Sequence, residues 1–207
     1  MTPQRMAFGL SMIFPARGFP HTGSSPVSAT IVAYGGGHLW HSDISYLPRP
    51  SLGALFYCPE CPPAGAGGGT SFAGMFAAYE QLPPEQRQWL EQQTAIHDYV
   101  WHYETYLTHP VSGRQAIYVS AGLTKQFDGM GFEESRRIIE EITDFATQDR
   151  WVYTHLWRPG DLVFRDNRST THRAEPFDME RHRRLMHRTT IKGDEPFYEN
   201  VNINRRL

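Results

Sequence analysis

His41 and Asp43, separated by Ser42, place an imidazole and a carboxylate at i and i+2, an arrangement that points both to one face of an extended strand. Both are metal-ligand types. A third histidine from a distant segment would complete a two-histidine, one-carboxylate facial triad, the donor set that leaves three positions open on a non-haem iron. His172 is the candidate, because it closes the segment DLVFRDNRSTTH, where an Asn-Arg pair and several hydroxyl residues suggest a strand end leading into a loop. An H-x-D pair alone is a weak signal, since the 10 histidines of the chain generate such spacings by chance. A second feature adds to it. A 2-oxo acid chelated to iron carries a remote carboxylate, which a guanidinium matches two oxygens at a time. The Arg-rich segment 181–188 supplies such groups. On a strand, Arg184 and Arg188 share a face that His187 opposes.

These residues must be held by a sheet. LGALFY at 52–57 suits a buried strand, and the following CPECPPAGAGGGT, to Thr70, is expected to carry no regular element. In SFAGMFAAYEQL, 71–82, Phe72, Met75, Phe76 and Tyr79 recur at three- and four-residue spacing and predict one helix with a core-facing stripe. A second helix should start after Pro83-Pro84. The segment 132–147 predicts a third, with acidic residues in its first turn, apolar Ile138, Ile139, Ile142 and Phe145, and a solvated charged face. WVYTHLW, Arg158-Pro159-Gly160-Asp161 and DLVFRD predict an antiparallel hairpin over 151–165 around a type II turn, and RLMHRTTI another strand. Residues 1–37, rich in Gly, Pro and Ser, are expected to be irregular around the apolar run Ala29 to Tyr34. Strands at both ends with helices between them describe an α+β, sheet-based domain.

The bulk numbers restrict the partners. A chain of 207 residues is the size of one domain, and 20 basic against 22 acidic residues leave no electrostatic footprint for nucleic acid or an anionic membrane. A small molecule is the favoured partner. Two cysteines, Cys58 and Cys61, are too few for a disulfide framework and suit a reducing, cytoplasmic setting; zinc would need a second Cys pair. Pro15, Arg17 and Gly18 interrupt the early apolar stretch before a signal-peptide core or a spanning length develops.

Several separated blocks carry a more specific signal. WHSDISY at 40–46, GGGT at 67–70 followed by AAYEQLP, THPVSGRQAIYV at 108–119, WRPGDLVFRDNRSTTHRA at 157–174 and RRLMHRTTIKGDEP at 183–196 resemble, in order, the landmarks of the TauD/TfdA dioxygenases. The similarity covers about residues 38–197 within a single domain spanning 1–207. It implies a mainly β, double-stranded β-helix (jelly-roll, cupin-like) fold with helical insertions. It also implies Fe(II) bound by His41, Asp43 and His172, with 2-oxoglutarate and dioxygen as co-substrates. Arg184 would clamp the remote carboxylate of 2-oxoglutarate and Thr70 would add its hydroxyl. Arg188 would meet an anionic substrate or the near carboxylate. The implied reaction couples oxidative decarboxylation of 2-oxoglutarate, to succinate and carbon dioxide, with oxidation of a small carboxylated or sulfonated molecule. Homo-oligomers are usual in such families.

The chain also departs from that pattern. Only 40 residues precede His41, fewer than the family usually has; GGGT replaces Gly-Gly-Asp-Thr; and Arg165-Asp166-Asn167-Arg168 replaces Trp-Asp-Asn-Arg. A rival expectation is therefore a truncated remnant that keeps the ligands but acts as a metal-binding or interaction module, with exposed sheet edges. A zinc hydrolase built on the same ligands would need a general base that no residue supplies.

Overall fold

In the computed structural model, which describes residues 12–15, 37–47, 50–97 and 101–193, two sheets enclose one of two apolar clusters. In chain order the elements are β1 (Met12–Pro15), β2 (Gly53–Glu60), β3 (Thr70–Gly74), α1 (Met75–Glu80), α2 (Pro84–Glu91), β4 (Thr94–His97) and β5 (Trp101–Glu104). They continue as β6 (Tyr106–Thr108), β7 (Gln115–Ile117), β8 (Thr124–Phe127), α3 (Phe132–Ala146), β9 (Val152–His155), β10 (Asp161–Asp166), β11 (Thr170–Ala174) and β12 (Leu185–Ile191). The first sheet has the order β1-β10-β2-β12, the second β11-β3-β9. A third, β5-β4-β8, and the hairpin β6-β7 lie outside them. This mainly β arrangement with few helices is the jelly-roll expectation, without a closed barrel.

Alternation along β2 and β10 explains the space between the two main sheets. Ala54, Phe56 and Cys58 face inward from β2 and Val163 from β10, where they pack with Phe72 of β3 and with Trp157. The second cluster, built on Met75, Phe76, Tyr79, Leu90, Phe127, Ile139 and Trp151, joins α1, α2 and α3 to the third sheet and β7. Helix α3 buries Ser135, Ile139, Thr143 and Ala146, while Ile138, Ile142 and Phe145 are only partly covered; its Glu and Arg face is solvated as expected.

Three expectations need correction. Ser71 to Gly74 form a strand, because this stretch is paired on both sides, by β11 and by β9, and two full ladders outweigh helical periodicity. Phe72 accordingly joins the inter-sheet cluster, whereas Met75, Phe76 and Tyr79 do lie on a helix. Residues 151–165 contain the turn, with Gly160 at φ 92° and Asp161 N–H donating to Arg158 O at 3.0 Å, but not the hairpin. Strand β9 pairs β3 while β10 pairs β2, so the turn carries the chain from one sheet to the other. Cys58, Pro59 and Glu60 extend β2, and Thr70 begins β3. Pro59 is tolerated because the β10 ladder ends at Tyr57 and the β12 ladder shifts register there.

The run Ala29 to Tyr34 lies outside the described residues. Within the first 37, Met12–Pro15 pairs antiparallel along β10, from Met12 opposite Phe164 to Pro15 opposite Asp161. Among the described residues no helix is long and apolar enough to cross a membrane.

Candidate metal centre and carboxylate subsite

His172 lies on β11 opposite Phe72 of β3, and on its other side it meets His41 in an antiparallel bridge. Two backbone hydrogen bonds, of 3.0 and 2.9 Å, join His41 and His172 directly. The two rings consequently lie 4.2 Å apart between centroids. His41 Nδ1 donates to the Leu39 carbonyl at 2.7 Å, and His172 Nδ1 donates to the His41 carbonyl at 2.9 Å. With Nδ1 protonated on both rings, each Nε2 keeps a free lone pair, the tautomer a metal ligand requires. Burial lowers the pKa of both imidazoles, that of His172 well below the usual histidine range, with nearby Arg165 adding to the effect. Both are therefore neutral at pH 7.

Asp43 does not reach the site along a strand. His41 makes a single bridge, and residues 43–46 form a turn in which Ile44 takes φ 57°, a costly conformation for a β-branched residue. Asn167 supports that turn from the chain segment between β10 and β11. Its Oδ1 accepts the Asp43 N–H at 2.7 Å, and its Nδ2 donates to the carbonyls of Asp43 at 2.9 Å and Ser51 at 3.1 Å. One ligand atom from each of His41, Asp43 and His172 lies within 4.8 Å of the others, the only such group of three or more among the described residues.

The Asp43 carboxylate is bound by two arginines. Arg165 donates to Oδ2 from a fully buried position on β10, and Arg188, from β12, donates through Nη1 to Oδ1 at 2.5 Å. Burial by itself would raise the carboxyl's pKa, but the two guanidiniums overcome it and hold Asp43 below the ordinary carboxylate range. The donor set of two neutral imidazoles and one ionised carboxylate fits a divalent transition metal.

Arg184, immediately before β12, serves a second location. Its Nε donates to the Gly68 carbonyl at 2.8 Å and its Nη2 to Thr70 Oγ1 at 3.0 Å. Trp157 Nε1 donates to the same hydroxyl at 2.9 Å. Thr70 Oγ1 thus accepts two N–H groups, which leaves its own proton to be donated elsewhere. Gly68 takes φ 75°, and a Cβ there would stand 2.9 Å from Pro62 Cγ and 3.5 Å from Arg184 Cδ. The glycine-rich loop owes its composition here to backbone geometry and close approach.

All six residues singled out in the sequence fall into these two groups: His41, Asp43, His172 and Arg188 in one, Thr70 and Arg184 in the other. On β12, His187 lies opposite Tyr57, its ring 6.1 Å away, and Arg188 opposite Phe56; Arg184 precedes the strand and a register shift separates the two arginines, so the shared strand face expected of them does not form. Trp157, Asn167 and Arg165 were not anticipated as site residues. A charged residue two positions from Val163, on the inward side of an apolar strand, was the available sign for Arg165. Asp166 braces the same segment by accepting from His109 Nε2 at 2.8 Å and from the Arg168 N–H at 2.8 Å.

Comparison with known proteins gives concordant matches. The profile of the family described as "Taurine catabolism dioxygenase TauD, TfdA family" matches residues 14–190. The alpha-ketoglutarate-dependent 2,4-dichlorophenoxyacetate dioxygenase of Burkholderia sp. (strain RASC) is 31% identical over 175 residues, 74% of this chain and 58% of that protein. The (S)-phenoxypropionate/alpha-ketoglutarate-dioxygenase of Delftia acidovorans is 32% identical over 178 residues, 73% of this chain and 60% of that one. The chain thus spans about three fifths of the length of these relatives. Among solved structures, AAD-2 in complex with Mn(II) and N-oxalylglycine superposes with a TM-score of 0.72 at 31% identity, covering 78% of this chain and 71% of that one. A taurine dioxygenase from Burkholderia xenovorans gives 0.69 at 28% identity, covering 75% and 57% respectively.

Proposed function

The chain belongs to the TauD/TfdA family, and from that premise we propose that it is an Fe(II)- and 2-oxoglutarate-dependent dioxygenase of a small organic anion. The observation that carries the reading is the pairing of the two groups: a two-histidine, one-carboxylate cluster and a separate guanidinium-hydroxyl pair, Arg184 with Thr70. A metal hydrolase has a use for the first group but none for the second. A co-substrate with one chelating and one remote carboxylate has a use for both.

His41, Asp43 and His172 would hold the iron, which when bound supplies oxidative chemistry toward dioxygen and 2-oxoglutarate. The remaining work belongs to the chain. Arg184 and the Thr70 hydroxyl bind the remote carboxylate of 2-oxoglutarate, and Trp157 keeps Thr70 oriented for that contact. Arg188, whose side chain is 35% exposed, exchanges its contact with Asp43 for an incoming anionic group. Relatives named for phenoxyacetate and phenoxypropionate substrates, and a neighbour named for taurine, support a carboxylate or sulfonate as that group. A single domain acting in the cytoplasm is the accompanying expectation. Against the rival module reading, Met12–Pro15 of the N-terminal segment pairs with the main sheet along β10.

The reading is tested by incubating the protein with Fe(II), ascorbate, dioxygen and 2-oxoglutarate, with and without a panel of aryloxyalkanoates and alkylsulfonates, and measuring succinate. Succinate formation that rises with one of these anions and is lost in His172→Ala is the expected result. A folded, iron-loaded protein that forms no succinate with any of them, above the His172→Ala background, contradicts it.

A further inference from the structure

Arg165 has no exposed surface, yet only one of its three nitrogens has a hydrogen-bond acceptor. Nη2 donates to Asp43 Oδ2, while Nε and Nη1 meet no acceptor among the described residues, and the guanidinium stands 5.6 Å over the Phe56 ring. Burying a cation with two idle donors is costly, so stability alone does not account for it. The two oxygens of Asp43 are held differently. Oδ2 is engaged from within the sheet interior, opposite Ala54 of β2, by a side chain locked among packed neighbours. Oδ1 lies 4.0 Å from His41 Nε2, on the histidine side, and its arginine partner, Arg188, is part-exposed and free to turn outward.

We propose that Arg165 is a positioning residue for the metal: it holds Asp43 Oδ2 permanently, so that the carboxylate offers only Oδ1 to the ion. A one-oxygen carboxylate keeps coordination positions open for a chelating co-substrate, whereas a two-oxygen carboxylate closes one of them. The inference rests on the reading of His41, Asp43 and His172 as a metal centre. It adds a role for a residue that touches neither metal nor substrate.

The test is titration of the full chain with Co(II), followed by visible absorption, for the protein itself, Arg165→Met and Arg165→Lys, with thermal melting alongside. With Arg165→Met, Oδ2 is released: the d–d bands are expected to shift and weaken as the carboxylate takes a second coordination position. Arg165→Lys keeps the charge without the planar reach to Oδ2; it is expected to show the same change to a smaller extent, and it decides the matter should the Met variant not fold. Unaltered bands in the folded variants, whatever their melting temperature, would make Arg165 a packing residue and overturn the proposal. Failure of the unmodified protein to bind Co(II) would overturn the metal centre itself, an outcome distinct from the first.

Discussion

His41 and His172, 131 positions apart in the chain, are each other's backbone partners, and His172 also spends its Nδ1 proton on the His41 carbonyl. One carbonyl therefore fixes the spacing of two candidate ligands and the tautomer of one. Replacing His172 with Ala removes a ligand but leaves the backbone bridge available. The variant is expected to keep its far-ultraviolet circular dichroism and to lose Mn(II) affinity by more than about 100-fold, beyond what the loss of a ligand's hydrogen-bond partner costs. Calorimetric titration with Mn(II) checks this; affinity within a few-fold of the unmodified protein would remove His172 from the site.

Thr70 accepts from both Trp157 and Arg184, so Thr70→Val leaves two N–H donors without an acceptor. A loss of about 1–3 kcal/mol in stability is expected from the buried pair, together with roughly tenfold weaker 2-oxoglutarate binding. Thr70→Ser should restore both. Denaturant unfolding and equilibrium binding of the co-substrate separate the two effects, and a Val variant that binds 2-oxoglutarate normally would place the carboxylate elsewhere.

Arg188 covers the oxygen of Asp43 that faces the histidines. Its guanidinium should leave when an ion arrives, so Arg188→Met is expected to bind Mn(II) no more weakly than the unmodified protein, yet to lose affinity for an anionic substrate by tenfold or more, the order of magnitude of a charge-assisted contact. Competition binding with the substrate found in the succinate screen measures the second quantity. Equal anion affinity in the two proteins would assign Arg188 to Asp43 alone.

His97 is a separate, structural case. Fully buried beside Ser45 Oγ at 3.0 Å and stacked on Tyr118, it has a pKa pushed down to about 3 by burial. Its folded pKa lies below its unfolded one, so the unfolded chain takes up the proton first as pH falls. Its contribution is complete above about pH 6.5 and is lost progressively toward pH 3, at up to about 1.4 kcal/mol per pH unit. Melting temperature should therefore fall between pH 7 and pH 5, and less steeply in His97→Gln. Parallel slopes for the two proteins would contradict the assignment.

Much of the candidate site is legible because metal and carboxylate chemistry restricts residue types. His41, Asp43 and His172, and Arg184 with Thr70, could be singled out from type, order and resemblance. The path by which the fold unites them could not. Asp43 was expected to share a strand face with His41, but it arrives through a turn held by Asn167, a long-range hydrogen bond that leaves no local pattern. Ser71 to Gly74 carry a helical period and form a strand because their partners, β9 and β11, come from far later in the chain, Val152 to Thr154 and Thr170 to Arg173. Pro159-Gly160 announced a turn correctly, yet a turn does not state which sheet receives the next strand. Arg165 stands out as a charge on the inward side of an apolar strand and as a departure from a familiar tetrapeptide, but its purpose depends on the carboxylate it meets.

The central claim is that the histidine-carboxylate cluster and the Arg184-Thr70 pair serve one bound molecule. Anaerobic titration of the Fe(II)-loaded protein with 2-oxoglutarate, watched in the visible region, addresses it directly. A weak charge-transfer band that appears on addition of 2-oxoglutarate, saturates, and requires a much higher concentration in Arg184→Ala is the predicted result. A folded, iron-bound protein that develops no such band, or an Arg184→Ala variant that saturates at the same concentration, would contradict it.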